Sequence, residues 1–564
     1  ADSDSDTYGD PAVSDIDCDQ PTGYVADGTD CDDTDAAQYP GADEYCNGED
    51  DDCDGTIDED AAVDVLTWYA DGDGDTYGNA AITDIDCLQP SGYVADDTDC
   101  DDRDAAQYPG ADEYCNGEDD DCDGLVDEDG EVLDGDTFYA DADSDGTGDP
   151  ASTIVACTVP SGYVDNTWDC DDTDGTEPVV VDAASGSPTG AGTMSSPLDA
   201  IQAGVDDAIQ CVIVFAGTYY EAVHMNGTDL EITGVEGADE TIIDASGMAD
   251  AAFSIDAGES AATVLDGFTL TGDGHYEVEI SSYGCTSIVT CYDYYYTWCG
   301  GGLYVSGADP SIQGVVAYGS ALPAPSTTVS YPYAYYTSSY GGGMCFLDSA
   351  SEVGGSTVED NYADQGGGVY VDETSMVLFD TSYIVANEAA DGGGMEIEGG
   401  LGLMNVASMF NDASSEGGGL YLVSAYADLG NTTFAGDDAP MGGALYASGS
   451  TSLDVMNSII YGATTGAGVL VSTSSSFTGT YNNVYGNLGG NYSGVTDPTG
   501  TSGNISEPVL FVAYSDDGNP SNDNLHLLSA SPSVDAGNPS GSYDDADGTQ
   551  NDQGAYGGPE SDWD

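Results

Sequence analysis

Lysine is missing from this chain and arginine occurs once, at Arg103, against 108 aspartates and glutamates, for a formal net charge of −107. Nucleic acid is excluded as a partner, because such binding depends on cationic side chains that neutralise phosphates. Anionic polysaccharide and bare anionic membrane are disfavoured by the same repulsion. Histidine is scarce too: His224, His275 and His526 are scattered, and each reads as structural rather than catalytic. No apolar run approaches the ~18 residues of a membrane span. No initiating methionine or signal peptide is present, so Ala1 reads as the start of a processed product. Such self-repulsion requires counter-charge, and divalent cations are the obvious supply.

The 15 cysteines, regularly spaced and without visible redox or zinc architecture, favour disulfides and an extracellular or cell-surface location. Residues 1–177 hold three copies of one acidic unit, opening at Ala1, Ala70 and Ala140. The first carries Cys18, Cys31, Cys46 and Cys53, the second Cys87, Cys100, Cys115 and Cys122, the third only Cys157 and Cys170. Joint loss of the last two points to a pair, which predicts Cys18–Cys31, Cys46–Cys53, Cys87–Cys100, Cys115–Cys122 and Cys157–Cys170. A zinc site is the alternative, weakened by intervening carboxylates and by the lack of histidine in this region.

Each unit opens with alternating aspartates: Asp2, Asp4 and Asp6; Asp71, Asp73 and Asp75; Asp141, Asp143 and Asp145. Calcium takes about six to eight hard oxygen ligands from alternate loop positions. The seventh position would be the backbone carbonyl of Tyr8, Tyr77 or Thr147, and the ninth Asp10, Asn79 or Asp149. A second loop fits the pattern better, with Asp50, Asp52, Asp54 and Asp58 around Gly55, copied as Asp119, Asp121, Asp123 and Asp127 around Gly124. Neither has the bidentate glutamate that closes a sensor loop, so extracellular-grade affinity is expected. Between the loops, Asp30, Asp32, Asp33 and Asp35, with their copies Asp99, Asp101, Asp102 and Asp104, offer a further ion position.

The segments CDDTDAAQYPGADEYCNGEDDDCDG at 31–55 and CDDRDAAQYPGADEYCNGEDDDCDG at 100–124 resemble the MopE-type metal-binding repeat of secreted bacterial proteins. The unit is also similar to thrombospondin type 3 repeats, where aspartate loops and disulfides wrap calcium in place of a large apolar core. The first resemblance implies an extracellular or surface protein with a metal site, and the second, with the loop pattern, makes several calcium ions the expected cofactors. The third copy departs from the pattern by lacking the second loop.

After Glu177-Pro178 the composition changes, and a glycine ladder runs from Gly300 to Gly468. Gly300-Gly301-Gly302-Leu303-Tyr304-Val305 returns in kind at 341–346, 366–371, 392–397, 417–422, 442–447 and 466–471, mostly at steps of 24 to 26 residues. Such a period marks a solenoid whose units share one core. The apolar–variable–apolar trio marks a short strand, and the preceding glycine suits a tight corner. The fold predicted is all-β, a right-handed parallel β-helix preceded by irregular acidic repeats held by calcium and disulfides. Its parts are acidic repeats at 1–69, 70–139 and 140–177, a linker at 178–197, the β-helix at 198–514 and a polar tail at 515–564.

A helix over 198–205 followed by the strand at 211–219 is similar to the amino-terminal cap of pectate-lyase-like β-helices. The glycine ladder is similar to polymorphic outer-membrane-protein repeats. Cys211 reads as a buried free thiol, and Cys285, Cys291, Cys299 and Cys345 as two disulfides around Tyr-rich excursions at 283–299 and 320–340. Tyr304, Cys345, Tyr370, Glu396, Tyr421, Tyr446 and Leu470 fill the outward slot, as surface cover or as a contact patch.

The β-helix resemblance raises polysaccharide lyase activity, but such lyases use a basic residue beside calcium and Arg103 lies in the acidic repeats. No paired-carboxylate constellation recurs in the ladder as a hydrolase would want. The favoured function is a calcium-binding structural or adhesive surface protein. It would partner with further copies of itself, head to tail in a filament or lattice, or with a cell-surface glycan. The alternative is a β-helix that binds or hydrolyses a neutral polysaccharide.

Overall fold

A computed structural model describes residues 1–144, 146–169, 177–284, 290–330, 333–515 and 518–561. The chain forms two compact units, Ala1–Thr176 and Glu177–Asp564. The first has few buried apolar side chains, among them Ala62, Val132, Phe138 and Ala156. Its regular structure is two small antiparallel sheets, Asn79–Asp86 with Leu66–Ala70 and Tyr93–Val94, and Asp149–Ala156 with Asp136–Ala140 and Tyr163–Val164. The repeat boundaries expected at 69/70 and 139/140 therefore fall inside strands. Each sheet takes its middle strand from the end of one sequence copy and its outer strands from the next.

The second unit is a parallel β-helix. One ten-stranded sheet carries the glycine ladder, with Leu303, Met344, Val369, Met395, Leu420, Leu445 and Val469 paired in register. The second sheet runs from Val179–Val181 and Cys211–Val214 to Ser476–Thr480, the third from Gly217–Tyr219 to Asn483–Tyr485. One apolar cluster from Val181 to Val484 fills the interior. The first glycine of each triplet has φ between 54° and 68°, the left-handed region that a side chain disfavours. The second glycine is needed for closeness: a Cβ on Gly367 would lie 2.4 Å from the Gly393 carbonyl and 2.5 Å from that of Glu388. Gly367→Ala is expected to lower the stability of the β-helix by about 2 kcal/mol. Gly541→Ala, whose Cβ would meet nothing nearer than 3.4 Å, should be near neutral. Equal thermal midpoints for the two variants would contradict the close-approach argument.

Several expectations are corrected. The stretch taken as linker contributes Val179–Val181, paired in parallel with Cys211–Val214. The helix is Ile201–Asp207, its first free N–H groups donating to Glu221 at 2.7 and 3.0 Å. Cys211 is disulfide-bonded rather than a free thiol. The excursions are strands: His275–Gly284, Thr290–Cys299, Tyr333–Tyr340 and Ser326–Ser330 form a four-stranded sheet, as the β-propensity of clustered tyrosine favours. Ring pairs Tyr294–Tyr335 and Tyr295–Tyr336 cross it.

In this sheet Cys299 bonds to Cys345, while Cys285 and the Cys291 side chain lie outside the described residues. Cys299 and Tyr340 pack over Tyr304, Cys345 and Tyr370, so this part of the outward row is buried and is not a surface patch. The polar tail is also no free tail. Its Leu525 and Ala555, together with Val509 and Phe511 just ahead of it, pack on Val385, Ala407, Met409, Ala435 and Ile459 of the third sheet, and Asn405 donates to the Ala555 and Gly557 carbonyls.

Candidate metal centres

The alternating aspartates converge because of the residues between them. Ser5 and Thr7 take φ of 75° and 86°, as do Gly74 and Thr76 at 92° and 87°, and this puts the intervening carboxylates on one side of the loop. Each aspartate accepts a local N–H with one oxygen: Asp2 from Ser5, Asp4 from Asp6, Asp6 from Tyr8. The other oxygen is left for the interior. Buried Oδ2 atoms of Asp4, Asp6 and Asp30 have no hydrogen-bond partner, nor have those of Asp73, Asp75 and Asp99 in the next copy and Oδ1 of Asp141 in the third. Buried carboxylate oxygens without donors are costly unless a cation meets them.

Asp4, Asp30 and Asp33 bring ligand oxygens within 4.8 Å of one another, as do Asp2, Asp4 and Asp6. Two positions expected separately from the sequence thus lie together, with Asp33 pinned by the Ser3 N–H and hydroxyl at 2.8 and 2.6 Å. Burial, reinforced by the charges of Asp75, Asp73 and Asp102, pushes the Asp99 carboxyl up to about 6. Asp4, Asp30 and Asp73 are raised in the same way. Asp145 lies outside the described residues.

In the second loop the group with oxygens within 4.8 Å is Glu44, Asp52 and Glu59. Glu44 and its copy Glu113 are buried hubs. Glu44 accepts the N–H groups of Asp51, Asp52 and Asp58, and Glu113 those of Asp120, Asp121 and Asp127. Neither glutamate was singled out from sequence, nor were Glu59 and Glu128, whose Oε2 atoms lack partners. Asp54 instead caps Thr56, and Asp58 and Asp127 accept from Gly48 and Gly117. Asp10, Asn79 and Asp149 cap Ala12, Ala81 and Ala151, and Asp32, Asp35, Asp101 and Asp104 also serve or sit in local turns. Tyr8 stacks on Tyr39 and Tyr77 on Tyr108, both at 5.5 Å, joining the two loops of each copy. Thr147 replaces that tyrosine in the copy that lacks the second loop.

The disulfides differ from all five expected pairs. Cys31–Cys53 and Cys100–Cys122 close the two-loop unit, while Cys46–Cys87 and Cys115–Cys157 join each copy to the next. Cys157 is thereby unavailable to Cys170, which lies outside the described residues. Cys46 and Cys53 are missing together from the third copy because the loop that carries both is missing, not because they bond each other. Cys18, at the position of Cys87 and Cys157, is exposed and free.

With this geometry established, the relation to known families is narrow and specific. Residues 30–59 and 99–128 match the Cu-binding_MopE family, a metal-binding motif. The match closes on Glu59 and Glu128, the glutamates that end each second loop. No curated protein matches the chain. Among solved structures, the GH136 lacto-N-biosidase from Eubacterium ramulus is similar at 11% identity and TM-score 0.22, covering 54% of this chain and 67% of that one. Its native form aligns at 10% and 0.22 over 62% and 68%. XylC in complex with xylose aligns at 10% and 0.18 over 57% and 86%. TM-scores this low carry no argument here. The disulfides are of the kind kept in oxidising compartments, and among the described residues no helix is long and apolar enough to cross a membrane.

Proposed function

We propose that this chain is an extracellular calcium-binding structural or adhesive surface protein, in which ions complete the fold of residues 1–176 and the β-helix is the rigid body. The observation that carries this reading is the set of buried, donorless carboxylate oxygens on Asp4, Asp6 and Asp30 and their copies Asp73, Asp75 and Asp99. The donor set favours calcium over a softer ion. Within 30–59 and 99–128 there is no histidine or methionine, and Cys31, Cys46, Cys53, Cys100, Cys115 and Cys122 are all oxidised. Hard oxygens alone select calcium-like cations.

Asp4, Asp6, Asp30 and Asp33 would hold one ion, Glu44, Asp52 and Glu59 another, with copies of both in the second repeat. Assembly with further copies would use the terminal strand of the second sheet, Ser476–Thr480, which pairs with a strand on one side only. Native mass spectrometry of desalted protein titrated with calcium tests the ion assignment. Asp30→Asn is expected to bind one ion fewer than the parent, with magnesium at equal concentration failing to substitute. An unchanged calcium count in that variant would refute it.

A further inference from the structure

Two of the three histidines in the chain meet on one carboxylate in the β-helix, far in kind from the all-oxygen loops. His224 Nε2 lies 3.2 Å from one oxygen of Asp250, and His275 Nδ1 lies 3.2 Å from the other. We propose that His224, Asp250 and His275 form a binding site for a borderline divalent transition ion, Zn2+ or Cu2+, with the remaining coordination positions open to water.

The 3.2 Å separations fit two direct hydrogen bonds, one to each oxygen of Asp250, and they equally leave room for an ion between the ligands. Two ligands about 2.0–2.1 Å from a shared ion and about 3.2 Å apart subtend roughly 100° at it, close to tetrahedral. Two imidazoles and a carboxylate suit zinc or copper and not calcium.

Further contacts fix the place of each of the three residues. The His224 backbone N–H donates to Gln202 Oε1 at 2.7 Å, and its carbonyl accepts from Gln202 Nε2 at 3.0 Å, which ties it to the cap helix. The Asp250 carbonyl accepts the N–H groups of Asp273 and Gly274 at 3.0 and 2.9 Å, and its Oδ1 accepts that of Ala251 at 3.0 Å. The His275 ring is stacked on Tyr304 at 4.3 Å and 14°. His224 is 40% exposed, so the site has an entry from solvent.

The scarcity of histidine makes the test clean. The full chain, with calcium in excess to fill the acidic loops, receives one equivalent of Cu2+ for pulsed electron paramagnetic resonance, and in parallel is titrated calorimetrically with Zn2+. Two imidazole nitrogens should couple to the copper, falling to one in His224→Gln or His275→Gln, with zinc affinity lowered by roughly tenfold or more. His526→Gln, which changes a ring stacked on Tyr556, should leave both readings as they are. Should a variant fail to fold, the unmodified protein still decides: Zn2+ should shield His224 and His275, but not His526, from diethylpyrocarbonate as mapped by mass spectrometry. Copper bound without imidazole coupling, unchanged zinc affinity in both folded variants, or equal modification of all three histidines with and without Zn2+ would overturn the proposal.

Discussion

Withdrawing calcium is expected to expose Arg103 to trypsin while the β-helix stays folded. The chain contains no other tryptic site, and this one sits between Asp102 and Asp104 in the turn that follows Asp99. Its N–H is held by the Asp101 carbonyl, and Asp102 accepts from Gly72 at 2.6 Å, so cutting requires the loop around the candidate ion to open. With calcium at about a hundred times its dissociation constant, a bound ion stabilises the closed state by about 2.7 kcal/mol. Cleavage through the open state should slow by about a hundredfold for each site that must empty. A reducing gel is needed, because Cys100–Cys122 spans the cut. Circular dichroism and the thermal midpoint of the β-helix should not change with chelator. Equal cleavage rates with calcium and with chelator would remove calcium from the fold of residues 1–176.

The β-helix was legible because its local rules agree with one another. Glycine marks the same corner in each of seven coils, and Leu303 to Val305 and the six later trios alternate as strands do, so stacking in register buries one face whatever the surrounding loops do. The outward row was read correctly as a row and wrongly as surface. Its cover comes from Cys299 and Tyr340, on strands that pair with each other outside the repeating sheets, and no period announces them.

In the acidic repeats the alternating aspartates were visible, but convergence depends on Ser5 and Thr7 adopting left-handed φ, which their side chains do not advertise. Glu44 and Glu59 act across the loop from outside the spacing of a calcium-loop template; their recurrence as Glu113 and Glu128 was the available signal. Disulfide pairing is not fixed by spacing, and here it follows contacts between copies. The histidine site was legible in one respect that went unused: His224, Asp250 and His275 are separated by about one coil each, and His275 and Asp250 are 25 residues apart. Residues one period apart stack in a solenoid, so a shared period is itself a statement of proximity.

The β-helix is expected to be more stable at pH 5 than at pH 9, opposite to the acidic repeats. Glu396 is buried in the outward row, its Oε1 accepting from Gln365 at 2.9 Å and its Oε2 without a partner. Burial, then the charges of Asp391 and Glu398, push its carboxyl up to about 9, with Asp364 adding to them. Asp437 ends a ladder of buried amides in which Asn361 donates to Asn387, Asn387 to Asn411 and Asn411 to Asp437. Burial raises it to about 7 against the hydrogen bonds from Asn411 and Ser408.

Both groups keep a proton in the folded state that the unfolded chain releases near pH 4. The folded state therefore binds more protons, and stability falls as pH rises from about 4 to 7 through Asp437 and on to about 9 through Glu396, by at most about 1.4 kcal/mol per pH unit for each group. Other carboxyls of the β-helix, the half-buried Asp266 and Glu359 among them, are raised by burial and act in the same direction, so the sign of the slope alone does not identify these two. The variants do. Glu396→Gln keeps an acceptor for Gln365 and should flatten the slope between pH 7 and 9, while Asp437→Asn keeps an acceptor for Asn411 and should flatten it between pH 4 and 7. Denaturant unfolding of the β-helix at intervals across that range measures both. Slopes that match the parent in the two variants would place the proton uptake elsewhere in the chain. In the repeats acid is expected to have the reverse effect, because protonating Asp30 or Asp99 would compete with a bound cation.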